Sequence, residues 1–573
     1  MYLIDKKAKQ IMEECKARAR AAGLIIHGET LEYIVTNQDM IELSPKIMIP
    51  TLYDYWVHDV EVLRDKWLYD VYPHNPFETT INTRPGISFY NDNNPDWLNA
   101  MIFYHVLGHL DMDMNNIFFR ATWKDDFCGQ ALADKRLINR IREELGSEKR
   151  WVDYVIEFAR AADNLVGYYA ELEEADALEM QRASGTFSEK SSFYFGEFLR
   201  RKHDDNSIAL RVYYEEVERY SECIRRLGEK LGEAVFFSDE KTRSKFPEFD
   251  STFKKRETQK RKRVPTGDIL LYLMENSEFL DREENLWMKD VIAVVRRTSL
   301  YFQPQIRTKI CHEGWASLWH ERLFMTDERL NGHEINFSVV NSGVMLHPRV
   351  GSNPYIIGKL LFEFIEELAR KGKLSYAYQL IQDAETRNHY DQALGEEYGK
   401  KVLFEARRNL NDHMLINFLS DDDFQDFVNR HNLFVAGMRL TLESIAHGSA
   451  EVYVKSKSGR DYRAQLNRLL YHPPYVVIDE SKATKPGGIY LNHVYEGRSL
   501  VTRYIAPVLI GLSYFTGGKA VKLETTEFEI DRGDHYVYQA PVASGQPNST
   551  VKKDRVLYTC EGKKITRTVL SKG

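Results

Sequence analysis

Two short stretches carry residues whose types and spacing suit metal chemistry. In HVLGH, His105 and His109 are four residues apart. On a helix this spacing puts both rings on one side, where two imidazoles reach a single ion, as in the H-E-x-x-H zinc helix. In KICHEGWASLWH, residues 309–320, Glu313, Ser317 and His320 fall on one helical face. Glu313 lies on a stripe flanked by Trp315 and Trp319, so it is expected to be buried, and a buried carboxylate needs a partner or an ion. His105, His109 and Glu313 are therefore the expected ligands of zinc or another divalent first-row metal. Such a two-histidine, one-carboxylate set leaves a position for water. Val106 stands where H-E-x-x-H enzymes carry their general base, so a hydrolase would draw its base from His312, His320 or a distant carboxylate, or the site is not a peptidase. The competing reading has the two histidines as core residues with satisfied hydrogen bonds. Further acidic or histidine candidates are His58, Asp153, Glu157 and Asp163, whose plainer reading is a solvated face, and Cys311 is a minor nucleophile candidate.

The elements that must position these groups are helices. Asn94, Pro95 and Asp96 read as cap, first position and dipole complement of a helix. From that start Leu98, Ile102, His105, His109, Met112 and Asn116 form one stripe. Pro304 is expected just ahead of the helix that carries Glu313. Residues 1–22, the stretch 129–200, 201–235, 268–313, 358–371 and onward to about 446 all read as helical. Residues 240–264, with a basic cluster from Lys254 to Arg263, read as a surface linker. From about 450 to 530 the pattern becomes β-α-β-β-α-β, the order of a ferredoxin-like module. The last 40 residues add a hairpin with its turn at Glu561-Gly562. The expected fold class is α+β: a helical body (1–446), a ferredoxin-like module (447–530) and a hairpin extension (531–573).

Several blocks together resemble one family, the stage V sporulation protein R (SpoVR) family. They are NTRPGISFYNDNN, HVLGH followed by NNIFF, TGDILLYLMENS, VIAVVRRTSLYFQPQIRTKI running into HEGWASLWH, and NPYIIGKLLFEFIEEL. The resemblance implies a bacterial cytoplasmic protein linked to spore-cortex formation or a stress response. It also implies a serine protein kinase and a von Willebrand A-like protein as partners. This chain departs from the family pattern at Tyr55, at His312, at Met112 and Asp113, and at Arg297 or Thr298.

Bulk properties narrow the field. The 573 residues are 43% hydrophobic and 28% charged, the balance of a globular protein of two to four domains. A net charge of −7 argues against a protein that binds nucleic acid through a global positive field. Five scattered cysteines without a C-x-x-C pair fit a reducing compartment. The N-terminal MYLIDKKAKQIMEECKARARAA reads as a charged helix rather than a signal peptide, and no apolar run approaches a membrane span, so the cytoplasm is the expected location. Walker, dinucleotide-binding and nucleophile-elbow motifs are absent, which argues against phosphoryl transfer and nicotinamide chemistry.

Overall fold

A computed structural model describes residues 2–36, 39, 78–83, 85–122, 127–163, 189–199, 202, 210–253, 267–348, 351–375, 378, 381, 383–439, 451–470, 474–483, 488–495, 499–529 and 552–571. The fold is α+β, a large helical body with a C-terminal five-stranded sheet. Among the described residues no helix is long and apolar enough to cross a membrane.

The histidine helix, Asp96–Asn115, runs through the middle of the body and is buried on nearly every side. The expected single stripe is therefore too narrow a description. Phe103, Tyr104, Val106, Leu107 and Leu110 are all buried too, as befits a helix that is apolar all round. Pro95 occupies the cap position without a side-chain bond, so Asn94 does not cap it. On one flank lies a small mixed sheet, ordered Tyr2–Leu3, Thr30–Val35, Gly86–Asn91, Glu78–Ile81. Thr30–Val35 and Gly86–Asn91 pair in parallel and the outer pairs are antiparallel.

The carboxylate helix, Lys309–Met325, crosses the histidine helix at Gly108, where an added Cβ would lie 2.6 Å from Ala316 Cα. Its other flank meets the helix Pro354–Arg370 at a second small-residue contact. A Cβ on Gly314 would lie 2.3 Å from the Gly358 carbonyl carbon. Trp315 fills the core between them, against Phe362, Phe404 and Trp319. Pro304 lies just upstream but does not start this helix; it sits in the last turn of Leu286–Arg307, and the break comes at Thr308.

Tyr104, next to His105, is anchored through its hydroxyl to the buried Asp327 (2.7 Å), which also accepts from Arg329 (2.9 Å). Burial alone would raise the Asp327 carboxyl, but the bonds from Arg329 and Tyr104 outweigh it and hold it down to about 2. An unfolded Asp titrates near 3.9, so this stabilisation is complete above about pH 4 and is lost as pH falls through about 2. Urea midpoints should drop over that window, and Asp327→Asn should flatten it. A variant retaining the full wild-type acid dependence would assign the loss to other groups.

The sequence 240–253 is not a linker. Glu240–Lys245 is a helix capped by Asp239, and Phe246 and Phe249 enter an aromatic core with Phe193, Tyr194, Phe198, Phe236 and Phe237. The basic cluster from Lys254 to Arg263 lies outside the described residues.

The ferredoxin-like connectivity is also replaced. Glu451–Ser456 pairs with Val435–Arg439 in a separate two-stranded ribbon. The helix Gly459–Leu469 packs on Asp421–Arg430, burying Tyr462 and Leu466 in the main core. The sheet runs Tyr475–Ile478, Ile489–Val494, Val521–Glu529, Lys552–Glu561, Lys564–Ser571, with a single parallel pair bridged by the helix Thr502–Phe515. The terminal hairpin, read as an extension, supplies its last two strands and turns at Gly562. Val476, Leu491, Leu523 and Val556 share a core with Val152, Ile156, Val291 and Val295 of the helical body.

Candidate metal centre

The crossing at Gly108 and Ala316 sets the distance between the two helices and so brings three side chains together. Nε2 of His105 and Nε2 of His109 each lie 3.6 Å from Oε2 of Glu313. Ligand atoms of the three residues all fall within 4.8 Å of one another, and all three residues are buried. A tetrahedral ion with bonds of about 2.0–2.1 Å separates its donors by about 3.3 Å. The two imidazole–carboxylate separations are therefore close to what one ion requires.

The first turn of the carboxylate helix is held by Asp412. Its Oδ2 accepts from the Ile310 N–H (2.9 Å) and its Oδ1 from the Cys311 N–H (2.8 Å). These are orphan donors of a helix start, and the cap fixes where Glu313 emerges. Burial pushes the Asp412 carboxyl up to about 7. Lys309 donates to Oε1 of Glu313 at 2.5 Å, while Oε2, the oxygen facing the rings, has no hydrogen-bond partner. Against the burial that would raise it, contact with His105, His109 and Lys309 holds the Glu313 carboxyl well below its usual range.

Behind each ring stands another histidine. His109 Nδ1 meets His312 Nδ1 at 2.6 Å, and His312 Nε2 meets Asp113 Oδ1 at 2.9 Å. His105 Nδ1 meets His320 Nδ1 at 2.9 Å, and His320 Nε2 meets Asn341 Oδ1 at 3.0 Å. Asn341 is oriented by its own amide, whose Nδ2 donates to Glu321 at 3.2 Å. Burial, reinforced by the neighbouring rings, holds His109 well below its usual value and takes His320 down to about 3, so these rings are neutral.

These contacts set the direction of the protons. Asp113 and Asn341 present acceptors, so the outer rings donate from Nε2 and accept at Nδ1. In that tautomer the inner rings donate from Nδ1, which leaves the Nε2 lone pairs of His105 and His109 directed at Glu313. Two lone pairs and a carboxylate oxygen facing one another repel unless a cation sits among them. The two outer rings do the orienting that hydrogen-bonded groups behind a metal ligand do.

The remaining sequence candidates lie elsewhere. Asp153 binds Arg142 and Glu157 binds Arg160, both exposed. His58 and Tyr55 lie outside the described residues, as does the Asp163 side chain. Cys311 is buried, which pushes its thiol well above the usual value and argues against a reactive thiolate. Two groups escaped sequence reasoning. Asp113 continues the four-residue spacing of His105 and His109, a signal that was there to find. Asn341 sits on the helix Glu334–Val344, with no periodic relation to the residue it serves.

The SpoVR like protein family matches residues 5–453, a span that ends before the C-terminal sheet. A curated relative, the uncharacterized protein YcgB of Escherichia coli (strain K12), is 23% identical over 423 residues, which is 69% of this chain and 68% of that protein. No solved structure matches.

Proposed function

The chain belongs to the SpoVR like protein family, and on that premise we propose that it is a metal-binding regulatory protein. It holds one divalent first-row ion, zinc in the first instance, between His105, His109 and Glu313. The observation that carries this reading is the buried Oε2 of Glu313, which accepts no hydrogen bond while the Nε2 atoms of both rings stand 3.6 Å from it. An all-apolar core would tolerate neither that oxygen nor the lone pairs facing it. When bound, the ion supplies a Lewis-acid centre.

A regulatory role ranks ahead of a peptidase- or amidase-like hydrolase because the groups expected to act as base are otherwise engaged. His312 and His320 each use both ring nitrogens, and Val106 is fully buried. A cytoplasmic part in spore formation or stress response, in company with a serine protein kinase and a von Willebrand A-like protein, is the setting that the family suggests. Elemental analysis of the purified chain tests the core of the reading. It should find close to one zinc or other first-row divalent ion per chain. Protein that is metal-free as purified and takes up no ion after dialysis against zinc would end it.

A further inference from the structure

The two oxygens of Glu313 do different things. Oε2 stands 3.6 Å from Nε2 of both His105 and His109, whereas Oε1 accepts from the Lys309 ammonium at 2.5 Å. Lys309 is the first residue of the helix that carries Glu313, and a four-residue step puts it one turn earlier on the same side. Its side chain is 47% exposed against 8% for Glu313, so the ammonium reaches the carboxylate from the solvent side.

Helix stability does not account for this pair. A cation in the first turn opposes the helix dipole, and no acidic residue stands there to offset it. Lysine ahead of glutamate at this spacing is also the weaker order of the two. Solvent screens an ammonium that is half exposed, so the ion pair adds little by itself. What the contact does fix is which oxygen of Glu313 is left for the rings.

That division has a consequence for an ion. A carboxylate meets a metal through one oxygen or through both. Zinc is satisfied by four donors in a tetrahedron, whereas manganese(II) suits an octahedron rich in oxygen. An ion that took both oxygens of Glu313 would share Oε1 with the ammonium, placing two cations on one atom. With Lys309 in place, two nitrogens and one oxygen remain to be offered.

We propose that Lys309 sets the metal preference of the centre: by holding Oε1 it makes Glu313 a one-oxygen ligand, keeps the ion four-coordinate and favours zinc over manganese(II). The inference rests on the metal reading above. Lys309 is a positioning residue that acts through Glu313 and does not touch the ion.

The test compares the full wild-type chain with Lys309→Met and Lys309→Arg. Each is dialysed against zinc and manganese(II) together and analysed for bound metal, and each is loaded with cobalt(II) for visible absorption. Wild type should select zinc and give the intense absorption of four-coordinate cobalt(II). Lys309→Met releases Oε1, so the ratio of zinc to manganese(II) affinity should fall about tenfold, the lower end for a group that supports a ligand, and the cobalt band should weaken as the coordination number rises. Lys309→Arg keeps the charge and the donors and should behave as wild type. A lysine that only secured the helix would, once replaced by methionine, weaken both metals by the same factor and leave the cobalt spectrum alone. That result would overturn the assignment, as would a wild type that prefers manganese(II). A wild type that takes up neither zinc nor cobalt(II) would instead strike the metal reading, and this inference with it.

Discussion

Replacing His109 by alanine should lower zinc affinity on the order of several hundredfold. Structural zinc binding of about 10–16 kcal/mol spread over four donors gives about 2.5–4 kcal/mol for each. His109 is one of the three donors proposed, and its ring is already oriented by the 2.6 Å contact to His312. Glu313→Ala should cost a similar factor, because it also removes the negative charge that offsets the ion. His312→Ala should cost less, about 10–100-fold, as expected for a group that orients a ligand without touching the metal. Competition with a chromogenic chelator would measure all three. The order matters as much as the size. An affinity unchanged by His109→Ala, or a larger loss in His312→Ala than in His109→Ala, would mean the ion binds somewhere else.

The second large effect concerns the scaffold. Gly358→Ala should destabilise the chain by roughly 3 kcal/mol or more, seen as a lower urea midpoint and less soluble protein. In an exposed helix this substitution helps by about 0.5–1 kcal/mol. Here the new Cβ would lie 2.1 Å from the Ile310 carbonyl oxygen and 2.7 Å from Gly314 Cα. Both obstacles are main chain, which cannot rotate aside, so the helices Lys309–Met325 and Pro354–Arg370 would have to separate. Glu313 precedes Gly314 and would move with it, so metal affinity should fall together with stability. Wild-type stability in this variant would show that the two backbones do not meet at these glycines.

The parts of this site that could be read in the sequence were those set by local periodicity. The four-residue step from His105 to His109 fixes a common helical side whatever surrounds it. Two tryptophans beside Glu313 announce burial, which implies that its charge is matched. Histidine ring contacts are not encoded in spacing, so His312 and His320 read as bases when their rings face other rings. The tail shows the same limit. Strand, helix and turn were placed well from 451 onward, but β-propensity does not name a strand's partner. Glu451–Ser456 pairs with Val435–Arg439 because Tyr462 and Leu466, just after it, find their burial in the helical body. In residues 240–253, charge concealed the spacing of Phe246, Phe249 and Phe253, which is helical and apolar.

The two inner histidines, alike in their spacing, are unequal as donors. The hydrogen-bonded line through His109 ends on a carboxylate, Asp113, whereas the line through His105 ends on an amide, Asn341. A full negative charge at the far end stabilises positive charge drawn onto the rings, and an amide dipole does so only in part. An ion held there would meet the stronger push of electron density from the His109 side, which makes His109 the firmer donor and His105 the more replaceable one. The centre has a firm side and a yielding side, and the yielding one ends on a helix that carries Ile335 and Val339 exposed at the surface.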